Sequence, residues 1–454
     1  MYKKQNDDFL KFLITERFIK PWTEGDFENY KSLSSVSRLE LFITSSCNQK
    51  CEYCYLCKYE DSLYPKEIRE QETILKNLQI FLNFLLENKV KIYSADLFSG
   101  EIWHTDFGLK VLELIYEYLM KGLQIRQFIV ASNCSFIESK QHFFKIQKYI
   151  KLYREIGSSL DFSISIDGKI NEDISRQLKN GQRDEEFYDK LFSFAAYNHF
   201  GFHPMISACT IENAKENYLW FKNECKKHDL NFYNAVMFLE VRNNDWTKEK
   251  LEHYADFLKF YIDDVIDAFP DNKIDGFVEY LTGINKYNFG EHYVPFNIIT
   301  QKLYAAGCSI SDTLTVRLGD LSICPCHRLS YSEYNYGKFV VKDNKIVDIE
   351  SNNIYMANRI LMANNDLCHS ECDCCIYNDF CLKGCFGCQL EEENDPFMPI
   401  ESVCNMLKTK IDVTIEHFEQ RGIIKKLEEI PNTDPRYLDI IKYLNFVKAR
   451  KRKE

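Results

Sequence analysis

The feature that most constrains this chain is a tight loop of three cysteines that directly follows an apolar strand. Cys47, Cys51 and Cys54 stand in a Cys-x3-Cys-x2-Cys pattern after residues 39–43. Thiolates are soft ligands that suit zinc or iron–sulfur clusters, and a closed site normally uses four of them. A [4Fe–4S] cluster held by only three thiolates would leave one iron with an open coordination position. Cys57 leaves an alternative, because Cys54-x2-Cys57 offers a fourth thiolate for a closed zinc or ferredoxin-like site.

The remaining cysteines are also clustered, which favours metal binding over disulfides. The chain has 18 cysteines in 454 residues, with four at 47–57, three at 308–326 and eight at 368–404. A chain of this length can bury a large apolar core and needs no disulfide scaffold. The polar N-terminus has no signal peptide and no stretch reaches spanning length, so we expect a cytoplasmic protein without a membrane partner. The net charge of −11 argues against nucleic-acid binding.

Apolar, partly alternating segments recur with helical stretches between them, which is typical of β/α units. This pattern predicts an α/β fold, a partial (β/α)6 barrel followed by a small cysteine-rich α+β domain. The predicted strands cover residues 38–44, 90–98, 125–132, 161–166, 204–210 and 232–241. The predicted units are an N-terminal extension (1–36), the barrel (37–245), a helical linker (246–296), the cysteine-rich domain (297–425) and a helical, basic tail (426–454).

The segment from the first strand through Cys54 resembles the radical S-adenosylmethionine (SAM) superfamily. It combines the strand, the three-cysteine loop and an aromatic residue, Tyr53, before the last cysteine. The resemblance implies that Cys47, Cys51 and Cys54 hold a [4Fe–4S] cluster whose open iron binds SAM, and that Tyr53 contributes to the SAM site.

Further matches follow in order, each at the end of a predicted strand, where the active sites of such barrels gather. Ser99-Gly100-Glu101 resembles the Gly-Gly-Glu segment of the superfamily, with Ser99 replacing one glycine. The resemblance assigns this segment to the SAM amino group. The Glu101 carboxylate can accept a hydrogen bond from that ammonium group. Without the cysteine loop, a simple strand-ending turn would be the better interpretation.

Three more residues complete the predicted SAM site. Asn133 and Ser165 stand where the superfamily places contacts to the SAM ribose and methionine, and Arg176 stands where relatives carry an arginine for the SAM carboxylate. A guanidinium suits that task because it binds carboxylates in a bidentate manner. Taken singly, each residue has an ordinary structural explanation, and their common order along the chain favours the SAM site.

The C-terminal cysteines resemble the SPASM subfamily of radical SAM enzymes, which implies two auxiliary [4Fe–4S] clusters and three clusters in all. One is assigned to Cys372, Cys375, Cys381 and Cys404, and the other to Cys308, Cys324 and Cys385. Cys326 either closes the second site or leaves it open for a substrate thiolate. Structural zinc is the alternative for the whole set. The surplus cysteines are interpreted as buried or free thiols: Cys134, Cys209, Cys225, Cys368, Cys374 and Cys388.

The family resemblance implies reductive cleavage of SAM and radical modification of a ribosomally made precursor peptide, by thioether or carbon–carbon crosslinking or by epimerisation. The implied partners are the peptide, an external flavodoxin- or ferredoxin-type electron donor and a separate leader-recognition protein. A sulfatase-maturing enzyme is the alternative, although Pro325 stands where those enzymes carry an Asp that acts as a base. A non-catalytic electron carrier or zinc scaffold is the alternative from another class. The residue that acts as base remains open.

Overall fold

The computed structural model describes residues 35–58, 70–98, 100–242, 245–268, 313–330, 334–351, 372, 375–377, 385–433 and 437–451. The strands are β1 Ser35–Phe42, β2 Gln49–Cys51, β3 Lys91–Phe98, β4 Gln124–Ser132, β5 Ser159–Ile164, β6 Arg176–Leu178, β7 Met205–Ile206, β8 Leu239–Glu240, β9 Thr313–Arg317, β10 Ser322–Cys324, β11 Gly337–Lys342 and β12 Lys345–Ser351. The helices are α1 Tyr55–Lys58, α2 Gln71–Glu87, α3 Asp106–Met120, α4 Lys140–Glu155, α5 Lys169–Ser175, α6 Glu185–Asn198, α7 Ala214–Lys227, α8 Phe232–Ala235, α9 Lys248–Ala268, α10 Phe386–Glu393, α11 Glu401–Gln420, α12 Ile423–Glu428 and α13 Tyr437–Lys451.

A parallel sheet with helical crossovers forms the centre of the molecule. Strands β1, β3, β4 and β5 pair in that order. Parallel bridges through Phe202 and Val236, together with the β7–β8 pair, continue the sheet. This arrangement confirms the α/β partial barrel that the sequence predicts. Helices α2, α3 and α4 cover the outer face, where buried side chains such as Leu78, Val111 and Tyr153 pack against the sheet.

Two predicted strands are shorter in the structure than in the prediction. The segment 232–241 begins with helix α8, because the Asn231 side chain accepts a hydrogen bond from the N–H of Tyr233 and starts a helical turn. Only β8 remains extended. The segment 204–210 contains only β7, because the chain turns into a 3-10 helix at Ile211–Asn213.

The inner face of the parallel sheet carries buried charged side chains next to the aromatic pair of Phe42 and Phe98. Glu40 and Asp96 lie opposite each other in the β1–β3 register, and both are buried. Arg38 lies 2.6 Å from Asp96 and compensates its charge. Because buried charges are costly unless they are paired, an ionic interior suggests a surface kept for ligands rather than for packing.

Strands β9 to β12 extend this sheet beyond β1. β9 pairs with β1 in parallel, and β10, β11 and β12 follow as an antiparallel meander. The turn between β11 and β12 holds Asp343 and Asn344 at φ 51° and 58°, a left-handed conformation that Asp and Asn tolerate in tight hairpin turns. Cys324 therefore lies on a strand of the same sheet as β1, the strand that leads into the three-cysteine loop.

Helix α9 packs against α11 from the C-terminal region. Tyr254, Phe257 and Leu258 form its buried face. Asp263 reinforces the contact, because its carboxylate lies 2.8 Å from His417 Nε2 and 3.1 Å from Arg421 Nη1. None of the described helices is long and apolar enough to cross a membrane.

Candidate active site at the strand ends

The three-cysteine loop is held at the carboxyl end of the sheet by a short two-stranded ladder. β2 pairs with β6 in antiparallel register, so that Cys51 lies opposite Arg176. The Gln49 side chain donates to the carbonyl of Arg176 at 2.9 Å. The N–H of Gln49 also donates to the Cys47 sulfur at 3.4 Å. The loop and the predicted SAM-carboxylate ligand are thus parts of one rigid substructure.

Gly100 lies where no larger residue fits. A Cβ atom at this position would be 1.8 Å from the carbonyl oxygen of Ser46, the residue before Cys47. The neighbouring N–H of Glu101 donates to that same oxygen at 2.8 Å. The end of β3 therefore lies directly against the cysteine loop, and only glycine permits this approach. Ser99, the replaced glycine of the motif, lies outside the described residues.

Glu101 is a buried carboxylate at the centre of the site. It accepts hydrogen bonds from the N–H of Asn133 at 2.6 Å and from the Ser132 hydroxyl at 2.9 Å, and Trp103 N–H lies at 3.3 Å. Burial raises the pKa of Glu101 to about 7, although these donors oppose the shift. A carboxylate has about four acceptor positions. Glu101 therefore retains capacity for one further donor, as an ammonium group of SAM would require.

Asn133 connects the end of β4 to the cysteine loop. Its amide donates to Asn48 Oδ1 and to Gln49 Oε1, both at 2.9 Å. Its carbonyl oxygen accepts from the Ser135 N–H and hydroxyl. Both amide protons are used within the protein, which gives Asn133 a positioning role beside its predicted contact with SAM. Ser165 lies next to this point, since its N–H donates to the Ser132 carbonyl at 2.8 Å.

Arg176 and Tyr53 meet over the buried carboxylate of Asp167. Arg176 Nη1 lies 3.2 Å from the Tyr53 hydroxyl and 3.6 Å from Asp167 Oδ1. The Tyr53 hydroxyl donates to Asp167 Oδ2 at 2.7 Å. Arg176 Nε is buried and has no hydrogen-bond partner among the residues that the structure describes. A carboxylate ligand would satisfy this nitrogen, as the prediction for Arg176 requires.

Sequence reasoning missed a buried ion pair behind the loop. Arg183 lies 2.5 Å from Glu172, and both side chains are almost fully buried. Arg183 also donates to the carbonyl of Asn133 at 2.8 Å, and Glu172 accepts from Gln49 at 3.1 Å. The pair therefore fixes the cysteine loop and the end of β4 together. No local pattern indicates Arg183, because its partners are distant in the chain.

A second missed pair lies on the inner face of the sheet. His327 Nδ1 is 2.5 Å from Glu40 Oε1, and the imidazole stacks on Phe98 with ring centroids 3.9 Å apart. Thr315 also donates to Glu40 at 2.8 Å. Burial lowers the pKa of His327, but the Glu40 carboxylate outweighs this effect and raises it overall. This pair brings the β9–β10 region into the barrel interior.

The donor set of the loop fits an iron–sulfur cluster with three protein ligands. The thiols of Cys47, Cys51 and Cys54 are close enough to influence one another electrostatically. Within the described part of the chain, no three Cys, His, Asp or Glu side chains converge on the position of a single metal ion. In a cubane each cysteine binds a different iron, so its ligands need not converge in that way. Burial raises the pKa of Cys47 to about 11, so binding a metal there would release a proton.

The predicted auxiliary ligands are described only in part. Cys324 is buried at the end of β10, with its thiol 3.3 Å from Asn335 Oδ1. Cys326 accepts from the N–H of Leu329 at 3.4 Å. Cys385 precedes α10 and lies near His327 and Arg328. The other described auxiliary cysteines are Cys372, Cys375 and Cys404. Outside the described residues lie Cys308, Cys368, Cys374, Cys381 and the side chain of Cys57.

The three-cysteine loop and the auxiliary region touch through aromatic and cationic side chains. Tyr55, which follows Cys54, donates to the carbonyl of His327 at 3.3 Å. The guanidinium of Arg328 lies over the Tyr55 ring, 5.0 Å from its centroid, as a cation–π contact. The two cysteine regions are thus neighbours at the mouth of the barrel.

Comparison with solved structures identifies the fold. The chain is similar to anSMEcpe, an anaerobic sulfatase-maturating radical SAM/SPASM enzyme solved with bound AdoMet, with a TM-score of 0.55 and 18% identity over 90% of this chain and 98% of that chain. The anSMEcpe structure with AdoMet and the Cp18Cys peptide gives a TM-score of 0.53 and 19% identity over 86% of this chain and 98% of that chain. For Streptococcus suis SuiB bound to S-adenosylmethionine, the TM-score is 0.42 and the identity is 15% over 84% of this chain and 78% of that chain.

The two anSMEcpe comparisons show the fold, which this chain shares with that enzyme. Comparison with protein-family models and with curated proteins gives no match.

Proposed function

We propose that this protein is a radical SAM enzyme that modifies a ribosomally made peptide. The observation that carries the proposal is the hydrogen-bonded network at the strand ends. It joins the three-cysteine loop to Gly100, Glu101, Asn133 and Arg176. An iron–sulfur electron carrier or a zinc scaffold would need the cysteines but has no use for a buried carboxylate and a buried guanidinium beside them.

Each residue of the network has a task in this proposal. Cys47, Cys51 and Cys54 would hold a [4Fe–4S] cluster, which with bound SAM supplies a 5′-deoxyadenosyl radical by reductive cleavage. Glu101 accepts the SAM ammonium at its remaining acceptor position, and Arg176 pairs with the SAM carboxylate through its unsatisfied Nε. The Arg183–Glu172 pair holds this arrangement rigid, which matters because small displacements of reacting groups reduce rates strongly.

The substrate class is proposed from the fold and the barrel interior. The similar anSMEcpe structure contains the Cp18Cys peptide, which supports a peptide substrate for this chain also. The inner face offers Glu40, Asp96 and His327 to polar groups of a bound chain. Auxiliary clusters beside this face would receive the electron that the modified peptide gives up. We further propose a cytoplasmic location and an external flavodoxin- or ferredoxin-type donor.

The test is production of 5′-deoxyadenosine. The full chain is reconstituted anaerobically with iron and sulfide and incubated with SAM and dithionite. We expect 5′-deoxyadenosine and methionine from the wild type and none from Cys51→Ala, whereas Cys225→Ala, which removes a buried thiol far from the loop, keeps the activity. A wild-type protein that holds iron–sulfur clusters and yields no 5′-deoxyadenosine would refute the proposed radical SAM activity.

The peptide substrate is tested separately with candidate precursor peptides and mass spectrometry. A mass loss of two hydrogens indicates a crosslink, and deuterium uptake from D2O without another mass change indicates epimerisation. Conversion of a sulfatase-derived Cys or Ser peptide to formylglycine would instead identify the maturase alternative, despite Pro325.

A further inference from the structure

Helix α4 is far more basic than the helices that pack against it. It carries five basic residues and one acid, whereas α3 and α6 each carry three acids and one basic residue. Ring contacts of Tyr116 with Tyr149 and of Phe143 with Phe194 join α3 and α6 to α4. In a chain whose net charge is −11, α4 is therefore a local positive surface between acidic neighbours.

The lysines of α4 form an exposed row around one aromatic ring. Residues at intervals of three or four share one face of a helix. Such a face runs through Lys140, Phe144, Lys148 and Lys151, with Lys145 beside it. The four lysines are exposed, and Phe144 is 68% exposed. We call this set of five side chains the α4 face.

The charges of the α4 face are left largely uncompensated. Among the residues that the structure describes, its one ion pair joins Lys151 to Glu155 at 3.7 Å. Like charges three or four residues apart destabilise a helix, and Lys145, Lys148 and Lys151 are spaced in this way. Phe144 leaves most of its ring in water, so it adds little to the core. An aromatic ring among cations is typical of a surface that a partner covers.

We propose that the α4 face binds an acidic segment of the peptide substrate, with an apolar side chain of that segment against Phe144. The inference rests on the proposed function, which supplies the peptide. The α4 face lies outside the sheet, away from the three-cysteine loop at the strand ends. An extended peptide spans about 3.3 Å per residue, so a segment some ten residues from the modified residue can reach the α4 face.

Two other partners fit the α4 face less well. An electron carrier has to approach the SAM cluster closely, whereas the sheet stands between α4 and the barrel interior. A nucleic acid would bring further phosphates against the acids of α3 and α6, in a chain that is acidic as a whole. A short acidic peptide needs only the row of lysines itself.

The test is fluorescence anisotropy of the full-length, reconstituted protein with labelled peptides of about twelve residues. One probe contains Glu and Leu, a second contains Glu and Ser, and a third contains Lys and Leu. The first should bind most tightly. Lys145→Glu/Lys148→Glu should weaken its binding about 10-fold at low salt and less at high salt, because salt screens exposed charges. Phe144→Ser should weaken binding of the Glu/Leu probe about 5-fold and leave binding of the Glu/Ser probe unchanged.

The matched control is Lys76→Glu/Lys110→Glu, which makes the same change in net charge on exposed positions of α2 and α3. It should keep the wild-type affinity, and circular dichroism verifies the fold of each variant. Equal effects of the two double variants, a Lys/Leu probe that binds as tightly as Glu/Leu, or tighter binding of a single-stranded RNA of similar length would each overturn the inference.

Formation of 5′-deoxyadenosine separates this inference from the proposed function. Lys145→Glu/Lys148→Glu should leave its rate unchanged with dithionite and also with reduced flavodoxin. A loss confined to flavodoxin would assign the α4 face to the electron donor and overturn the inference. Absence of 5′-deoxyadenosine from the wild type would overturn the proposed function, whereas failure of the peptide-binding assay would overturn the α4 face alone.

Discussion

Gly100→Ala should reduce SAM cleavage about 100-fold without removing any ligand or charged group. The added Cβ would be 1.8 Å from the carbonyl oxygen of Ser46. Because ordinary non-bonded contacts lie at about 3.5 Å, the end of β3 and the cysteine loop must separate by about 1.5 Å. The 2.8 Å hydrogen bond from Glu101 N–H to the same oxygen is then lost. A displacement of about 1 Å between groups that orient a reactant typically lowers the rate by about 100-fold.

The assay is the initial rate of 5′-deoxyadenosine formation, normalised to iron content. Gly157→Ala is the control, because Gly157 has φ +79° but nothing within 4 Å of an added Cβ. It should cost about 1 kcal/mol of stability through backbone strain and leave the rate per cluster unchanged. Gly100→Ala should cost about 1–3 kcal/mol and lower the rate. A Gly100→Ala protein with full iron content and the wild-type rate would refute the reasoning that this contact positions SAM.

Three further outcomes are expected. Arg183→Met should destabilise the protein by about 3–5 kcal/mol in denaturant unfolding, because it leaves Glu172 buried without its partner. Adding Glu172→Gln to this variant should recover part of the lost stability, and no recovery would contradict the pairing. Burial lowers the pKa of His203 to about 4, below its unfolded value of about 6.5. Its stabilising contribution is therefore complete above pH 6.5 and is lost as the pH falls toward 4. Between pH 7.5 and 5.5 the free energy of unfolding of the wild type should fall by about 1 kcal/mol more than that of His203→Gln. Parallel pH profiles of the two proteins would argue against this. Cys51→Ala should lower reconstituted iron by about four atoms per chain, and an unchanged iron content would exclude Cys51 as a ligand.

The barrel could be predicted because its signals are local. Apolar strands alternate with helices of period 3.6, and the structure contains β1, β3, β4 and β5 within three residues of their predicted starts and ends. The prediction was less accurate at the end of the barrel. There Asn231 starts a helical turn inside a segment rich in apolar residues, and a single capping side chain outweighs the strand propensity of its neighbours.

The sequence by itself determined which chemistry is available at the strand ends: three thiolates in one loop, a glycine before a glutamate, and an arginine after the fourth long strand. Only the tertiary structure decided how these groups are held. Glu172 and Arg183 meet Gln49 and Asn133 across separations of about 50 to 120 residues, and His327 meets Glu40 across 287. No periodic pattern records such contacts, because they depend on the order in which parallel strands pair and on the closure of the sheet, and these are properties of the packed chain as a whole.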